Sequence, residues 1–577
     1  MRLKSKYEIG EIPHAEYPRP QFKRDSYTIL NGLWDFAKVK IADTVADFSQ
    51  KILVPFSPET LNSGIYESFS LGIDEKLVYK RPFDLEIKED QCIHLHFGAV
   101  DQECTVYVNG KCVGSHKGGY TPFSFDITDA VANGKNTLLV ECTDKTELSH
   151  GARGKQSSNP GKIWYTPQSG IWQTVWLEAV PKNHIRDITV RTYPEKNTVS
   201  IFSDSDGKQS VRVYDGDALI INMELSDKKV DLVYDFEAWS PEKPKLYTFV
   251  LENEYGDKVE SYFGVRSYGV GKDENGVARL LLNGKPYFMN GVLDQGYYSD
   301  GLLTPPSDKA MYDDVRLMKD MGYNMIRKHI KIEPMRWYYY CDLLGIIVWQ
   351  DFVNGGGEYK FTRIGLLPFL GFKHDDSDYE YFSRESEEGR NEYLCAMKET
   401  VSALKNVTSI GVWVPFNEGW GQFDSFEITK KLLSLDDTRI IDSVSGWYDQ
   451  GADKTTLKSL HTYYTPLKVP KDSRPVVLSE FGGYSMKIAD HVYSEKEFGY
   501  KIFRSREKLS TALEGLYLKK LLPLIKKGLC AAVYTQLSDV EEEINGLITF
   551  DRKVVKVDKE LMQRLNTALY KEASKIK

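Results

Sequence analysis

From the start of the chain to about residue 182, apolar and polar positions alternate in short runs broken by turn signals, the period-two signature of half-buried strands. Cys104-Thr-Val-Tyr-Val-Asn109-Gly110-Lys-Cys-Val-Gly reads as strand, hairpin turn and strand, because Asn-Gly accepts the positive φ angles of a tight hairpin. Phe123-Ser-Phe-Asp-Ile and Asn136-Thr-Leu-Leu-Val-Glu-Cys extend the pattern, and Ser169-Gly-Ile-Trp172-Gln-Thr-Val-Trp176-Leu-Glu closes it as one core strand. Residues 1–182 are therefore expected to form a β-sandwich. Residues 183–270 repeat the rhythm on a smaller scale, with Asp187-Ile-Thr-Val-Arg, Ser210-Val-Arg-Val-Tyr and a last strand over Val259–Arg266, which suits an immunoglobulin-like sandwich.

After residue 271 the rhythm becomes strand, loop, helix. Apolar strands are predicted within 286–292, 323–329, 345–351, 410–416, 439–443, 457–461, 475–479 and 529–534, and amphipathic helices over 308–321, 334–344 and 384–404. Eight such units over residues 271–577 predict a (β/α)8 TIM barrel. The fourth and seventh strands each run into a glutamate, in Val412-Trp-Val-Pro-Phe-Asn417-Glu418-Gly-Trp420 and Pro475-Val-Val-Leu-Ser-Glu480-Phe-Gly-Gly. Barrel active sites are built at the strand C-termini, so this count aims both carboxyl groups at one cavity. Two facing carboxyl groups are the equipment for cleaving a glycosidic bond. A chain with 83 acidic residues also places glutamates at strand ends by chance; what sets these two apart is their apolar approach and their Gly and aromatic neighbours.

Composition narrows the alternatives. At 577 residues the chain holds about three or four domains, and 27% charged with 41% hydrophobic residues is ordinary globular usage. A net charge of −8 leaves no basic face for nucleic acid. No apolar run is long enough for a bilayer span, and the first residues carry charge but no apolar leader segment, so a cytoplasmic protein without membrane attachment is expected. Seven cysteines, odd in number and without CxxC pairs, read as reduced thiols with no zinc spacing. Neither a cofactor nor a metal is expected. The acidic run Asp539-Val-Glu541-Glu542-Glu543-Ile-Asn545-Gly does not have EF-hand spacing and reads either as pocket rim or as a solvated loop.

On these residues the chain resembles glycoside hydrolase family 2, the family of β-galactosidases, β-glucuronidases and β-mannosidases. Phe97-Gly-Ala-Val-Asp101, Val106-Tyr-Val-Asn109-Gly110 and Gly118-Gly119-Tyr-Thr-Pro-Phe are similar to the family's jelly-roll sugar-binding domain, and Gly170-Ile-Trp172-Gln-Thr-Val-Trp176 to its closing strand. Asn417-Glu418 resembles the family's Asn-Glu pair, whose glutamate is the acid/base, and Ser479-Glu480-Phe-Gly its nucleophile strand. Arg327, His329, Trp349 and Asp351 fit the family's second and third strands; His461-Thr-Tyr463 fits the sixth, with Tyr464 an alternative match for the aromatic. Where relatives carry Arg-Gly-Val-Asn-x-His-Glu, this chain has Asn290-Gly-Val-Leu-Asp294-Gln295, and the Asn-x-Lys element that grips a uronate in β-glucuronidases is missing.

The resemblance implies an exo-acting, retaining β-glycosidase with a carbohydrate substrate, β-galactosidase being the first expectation and β-glucuronidase or β-mannosidase the alternatives. It also implies self-association through the sandwiches. Glu480 is then the nucleophile and Glu418 the acid/base, with Asn417 on the sugar 2-hydroxyl and Arg327 and Tyr463 on Glu480. His329, Asp351, His461, Trp420 and Trp447 are further candidates for sugar contact, each with a packing or hydrogen-bonding role as its alternative. A sugar-binding protein without catalysis and a transglycosidase are the competing readings.

Overall fold

The computed structural model describes residues 3–44, 46–66, 69–450 and 456–577. Met1 and Arg2, at the charged start of the sequence, lie outside the described residues.

The first sandwich packs a six-stranded antiparallel sheet, which includes Gly32–Lys40, Glu75–Leu85 and Gly134–Thr143, on a four-stranded one that includes Gln91–Phe97 and Val175–Pro181. Alternation does what period-two burial requires: Trp34, Phe36, Tyr79, Leu95, Phe97, Val106, Leu138 and Val140 all point into one core. The Asn109-Gly110 turn joins Glu103–Val108 to Lys111–Lys117 with φ of 51° and 81°, the two positive values a type I′ hairpin needs. One reading needs correction. The expected closing strand is two pieces, since Gly170–Ile171 pairs with Val100–Asp101 whereas Val175–Pro181 pairs with Tyr27–Ile29 and Gln91–Phe97. Between them the Trp172 indole turns inward to donate to the Gly119 carbonyl at 2.7 Å.

The second sandwich sets three strands (Asp187–Tyr193, Thr198–Asp204, Lys229–Val233) against four (Gln209–Asp215, Ala218–Glu224, Tyr247–Asn253, Lys258–Phe263). Buried charge joins it to the first: Arg24 bonds Asp257 at 2.7 Å and Glu178 at 3.1 Å.

The third region is a TIM barrel whose eight parallel strands fall where the sequence pattern put them. In order they are Met289–Asp294, Met325–Lys328, Ile347–Asp351, Ile410–Val414, Ile440–Ile441, Lys458–Thr462, Val476–Gly482 and Leu529–Thr535. Most of them are largely apolar, as a sheet buried on both faces demands; the sixth, Lys-Ser-Leu-His-Thr, is the exception and is only partly buried. Met289, Met325, Ile347, Val412, Val414, Val477, Ala531 and Val533 fill the centre with Trp349, which is fully buried and donates to the Met289 sulfur at 3.2 Å. Trp349 is a packing residue. The fifth strand is two residues long, and the ring closes between fifth and sixth strands through the Ile441–Thr456 bridge and Leu457 N–H to Ile441 O at 3.3 Å. A three-stranded sheet of Tyr268–Lys272, Ala278–Leu282 and Lys285–Pro286, absent from the sequence reading, packs Leu280 and Leu282 against this core. The helices Asp308–Asp320, Met335–Leu344 and Glu387–Leu404 match the predicted ones; Ser307 and Ser386 cap the first and third by accepting from Ala310 N and Gly389 N. Among the described residues no helix is long and apolar enough to cross a membrane.

Candidate active site

Glu480 lies in the seventh strand at a slip of register. Leu460 pairs with Leu478 but His461 with Glu480, and on the other side Leu478 pairs with Ala532 but Phe481 with Tyr534. Such bulges re-aim a side chain. Glu418 follows the fourth strand, with its backbone in the left-handed region at φ 52°. For a glutamate that costs on the order of 1–3 kcal/mol and survives only where the surroundings over-determine it. Here its N–H donates to Ser445 O at 2.9 Å while Ser445 N–H donates to Phe416 O at 2.8 Å. One oxygen of Glu418, one of Glu480 and Nδ1 of His461 all lie within 4.8 Å of one another. Glu418 is 9% and Glu480 5% exposed.

The surroundings of the two carboxyl groups differ. Arg327 Nη1 donates to Glu480 Oε1 at 3.2 Å, and the Tyr463 hydroxyl donates to Oε2. Arg327 is itself oriented by a two-pronged bond to Asp351, at 3.0 and 2.9 Å, and donates to Ser479 O and Asn417 Oδ1. Burial works against charge on Glu480, but the positive field of His461 and Arg327 and the Tyr463 bond outweigh it and hold the carboxyl below its ordinary range. Burial raises Tyr463 well above the usual phenol range, with the Glu480 charge adding to it, so its hydroxyl remains a donor. Glu418 is raised, chiefly by burial and further by the Glu480 charge, against the opposing bond and charge of His461.

His461 stands behind Glu418. Its Nδ1 meets Glu418 Oε1 at 2.6 Å and its Nε2 meets Ser445 Oγ at 2.9 Å; from there hydroxyls run through Ser479 and Ser459 to the buried Asp442. Both ring nitrogens are thus spent on the protein, and Glu418's second oxygen makes no protein hydrogen bond among the described residues. Asn417 turns its carbonyl to Arg327, and its buried amide nitrogen has no partner among the described residues. Asp351 is fully engaged by Arg327 and by His329 Nδ1 at 2.7 Å. His329 is held well below its ordinary range by burial, then by the Lys155 and Arg327 charges. Trp420 lies beside His329 with ring centroids 6.0 Å apart, and the Trp447 indole donates to Glu418 O at 3.2 Å. Tyr463, not Tyr464, reaches Glu480; Tyr464 is 66% exposed.

Several neighbours have no signature in the sequence. The sandwich loop 151–168 reaches over the barrel mouth, where Arg153 N–H and Gly154 N–H both donate to Asn354 O. The acidic run receives it: Thr166 N–H donates to Glu541, Tyr165 to Glu543 and Lys162 N–H to Glu542, so this run is a clamp rather than a solvated loop. Tyr500 stacks on Tyr463 at 3.6 Å. Glu418, His461 and Glu480 are also a donor set that a divalent ion such as zinc could share. In the segment where relatives carry His and Glu, Asp294 instead pairs with Lys328 at 2.5 Å.

Comparison with known proteins agrees with this architecture. Residues 58–181 match the model of the glycosyl hydrolases family 2 sugar-binding domain, and residues 275–488 that of the family 2 TIM barrel domain. The chain belongs to glycoside hydrolase family 2. It is 24% identical over 526 residues to a β-glucuronidase of Streptococcus agalactiae, covering 81% of this chain and 84% of that one. It is also 24% identical over 432 residues to a β-galactosidase of Priestia megaterium, but this covers 68% of the chain and only 39% of the relative, so the chain spans about two fifths of that enzyme. Among solved structures, the β-D-glucuronidase of Dictyoglomus thermophilum superposes with a TM-score of 0.73 at 19% identity, over 96% of this chain and 98% of that one. A β-galacturonidase from Eisenbergiella tayi gives 0.69 at 19% identity over 96% and 99%. The likeness in fold extends over nearly the whole family 2 chain.

Proposed function

We propose that this protein is a retaining, exo-acting β-glycosidase in which Glu480 is the nucleophile and Glu418 the acid/base. The observation that carries the reading is the approach of the two carboxyl groups to within 4.8 Å, together with their unlike surroundings. Retaining enzymes hold these groups about 5–5.5 Å apart, whereas inverting ones leave roughly 6.5–9.5 Å for a water between them. Glu480, kept ionised by Arg327 and Tyr463, attacks the anomeric carbon while Glu418 protonates the departing oxygen; Glu418 then takes a proton from the water that opens the glycosyl-enzyme. Asn417 offers its unpartnered amide N–H to the sugar 2-hydroxyl, a bond that tightens as the oxocarbenium ion forms. His461 acts through Glu418, fixing which of its oxygens faces the substrate. The sequence resemblance makes a β-galactoside the first substrate to test, with β-glucuronide and β-mannoside beside it.

Proton NMR of an aryl β-glycoside during turnover tests the stereochemistry. The β-anomer of the free sugar is expected first, with the α-anomer following by mutarotation; α-sugar as the initial product overturns the reading. The pH profile of kcat/KM tests the roles. Activity needs Glu480 ionised and Glu418 protonated, so it rises as Glu480 loses its proton and falls as Glu418 does. A lowered Glu480 moves the acidic limb below the ordinary carboxylate range, and a raised Glu418 moves the alkaline limb above it. The expected result is a broad bell whose two limbs belong to the pair. A profile that falls only toward acid, with no alkaline limb, would contradict Glu418 as the acid.

A further inference from the structure

Among the described residues, one buried cation at the barrel mouth has neither an ion-pair partner nor a hydrogen-bond acceptor; Arg153 and Arg384 beside it also lack ion pairs but donate to backbone carbonyls. Arg327 is paired with Asp351 and Glu480, Lys328 with Asp294 and Glu333, and Lys331 with Glu333. Lys155, carried in by the sandwich loop, is only 6% exposed yet makes no ion pair and no side-chain hydrogen bond among the described residues. Its ammonium lies 5.3 Å from the centre of the Trp420 ring and 5.5 Å from that of Tyr165. Aromatic faces supply a favourable field to an ammonium but no acceptors for its three N–H groups.

The backbone that carries Lys155 is also held in place. Its carbonyl accepts from Tyr165 N–H at 2.9 Å, and on either side Gly154 N–H is fixed to Asn354 O and the Gln156 amide to Asp101 and Tyr120. Gly154 has φ 63°, and a Cβ there would meet the Tyr120 hydroxyl at 2.9 Å, so the loop's approach needs glycine. Trp420, the platform under the ammonium, stands two positions after Glu418, and the Lys155 charge acts on Glu418, His329 and Asp351. A cation so placed overlooks the sugar that Glu418 and Glu480 would flank.

We propose that Lys155 is a specificity-determining residue, delivered to the barrel by the N-terminal sandwich, that pairs with an anionic substituent of the bound sugar. A buried charge is tolerated when a partner of opposite sign meets it, and the substrate is the partner this pocket lacks. The substituent is a carboxylate, as in a β-uronide, or a sulfate ester on an otherwise neutral glycoside. The proposal rests on the reading of the site as a glycosidase pocket and moves the expected substrate from plain β-galactosides to acidic ones.

The test compares the wild type with Lys155→Met and Lys155→Arg on nitrophenyl β-glucuronide, β-galacturonide, a 6-sulfated β-galactoside and plain β-galactoside. At least one acidic substrate is expected to exceed the neutral one in kcat/KM. Lys155→Met should cut the preferred acidic substrate by about 100-fold or more, mostly in KM, and the neutral one by no more than about 10-fold, with Lys155→Arg recovering most of the loss. Which acidic arm responds separates uronate from sulfate. Equal losses on acidic and neutral substrates, or a wild type that cleaves only neutral glycosides, would sink the role of Lys155 while leaving the hydrolase reading standing. If no glycoside is cleaved, calorimetry decides with glucuronate, galacturonate, galactose 6-sulfate and galactose: Lys155-dependent binding of an acidic sugar upholds the proposal and removes the hydrolase, and binding without such a preference overturns it.

Discussion

Glu480→Ala is expected to lower kcat on an aryl β-glycoside by about 10⁴-fold or more, since the other groups of a catalytic unit retain little activity without the nucleophile. Folding should survive. Arg327 keeps its two-pronged bond to Asp351 and its bonds to Ser479 O and Asn417, so the substitution does not strand a buried guanidinium. An unchanged circular dichroism spectrum and thermal midpoint would show this. The space left by the carboxylate admits azide from the face that Glu480 occupied. With an activated substrate such as a dinitrophenyl glycoside, azide should restore turnover and give the α-glycosyl azide, because a single displacement inverts the anomeric centre. Recovery of a β-azide, or wild-type activity without azide, would show that Glu480 is not the nucleophile.

Glu418→Ala is expected to behave in the opposite stereochemical sense. Loss of general acid catalysis should cost about 10²–10⁴-fold on substrates with poor leaving groups and far less on dinitrophenyl glycosides, whose departure needs no proton. With such substrates the glycosyl-enzyme forms and then waits, since no base remains to activate water, and a burst followed by slow turnover is expected. Azide now enters from the Glu418 side and opens the intermediate to the β-glycosyl azide. The alkaline limb of the pH profile should vanish with the carboxyl group that produces it. The two azide products together distinguish the roles; the same anomer from both variants would refute the division of labour between Glu418 and Glu480.

The sequence pattern carried the fold a long way because burial dictates it. Most of the barrel strands are apolar runs closed by turn residues, and even the two-residue strand at Ile440–Ile441 is marked by its Ile-Ile pair, whereas Lys458–Thr462 has only Leu460 to mark it. The helices 308–320 and 335–344 are local as well, set by their own periodicity and by residues such as Ser307 and Gly345 at their ends. Periodicity could not show that the apparent strand over Ser169–Glu178 breaks, since Trp172 and Trp176 keep alternation while serving different neighbours. At the site, Glu418, Glu480, Arg327 and Tyr463 were legible because each stands at or next to the end of a barrel strand, and strand ends converge whatever the loops do. His461 was legible as a residue of the site but not in its place behind Glu418, which depends on Ser445 from a different loop. Lys155 and Tyr165 were invisible for the same reason, and the acidic run, legible as a candidate pocket rim, was not legible as the partner of the sandwich loop. Their positions come from pairings hundreds of residues apart, such as Tyr165 with Glu543, for which no local pattern exists.

The clamped loop 151–168 divides the molecule's labour along its length. On the roles proposed for Glu418, Glu480 and Lys155, bond breaking is written in the barrel, while part of the vocabulary by which one sugar is told from another is written some 260 residues earlier, in a stretch that contributes no strand to the barrel. Substitutions there can retune what the pocket admits without touching either glutamate. With Lys155 in that role, new substrate preferences arise in such a chain by drift in its front module alone, with the reaction inherited intact.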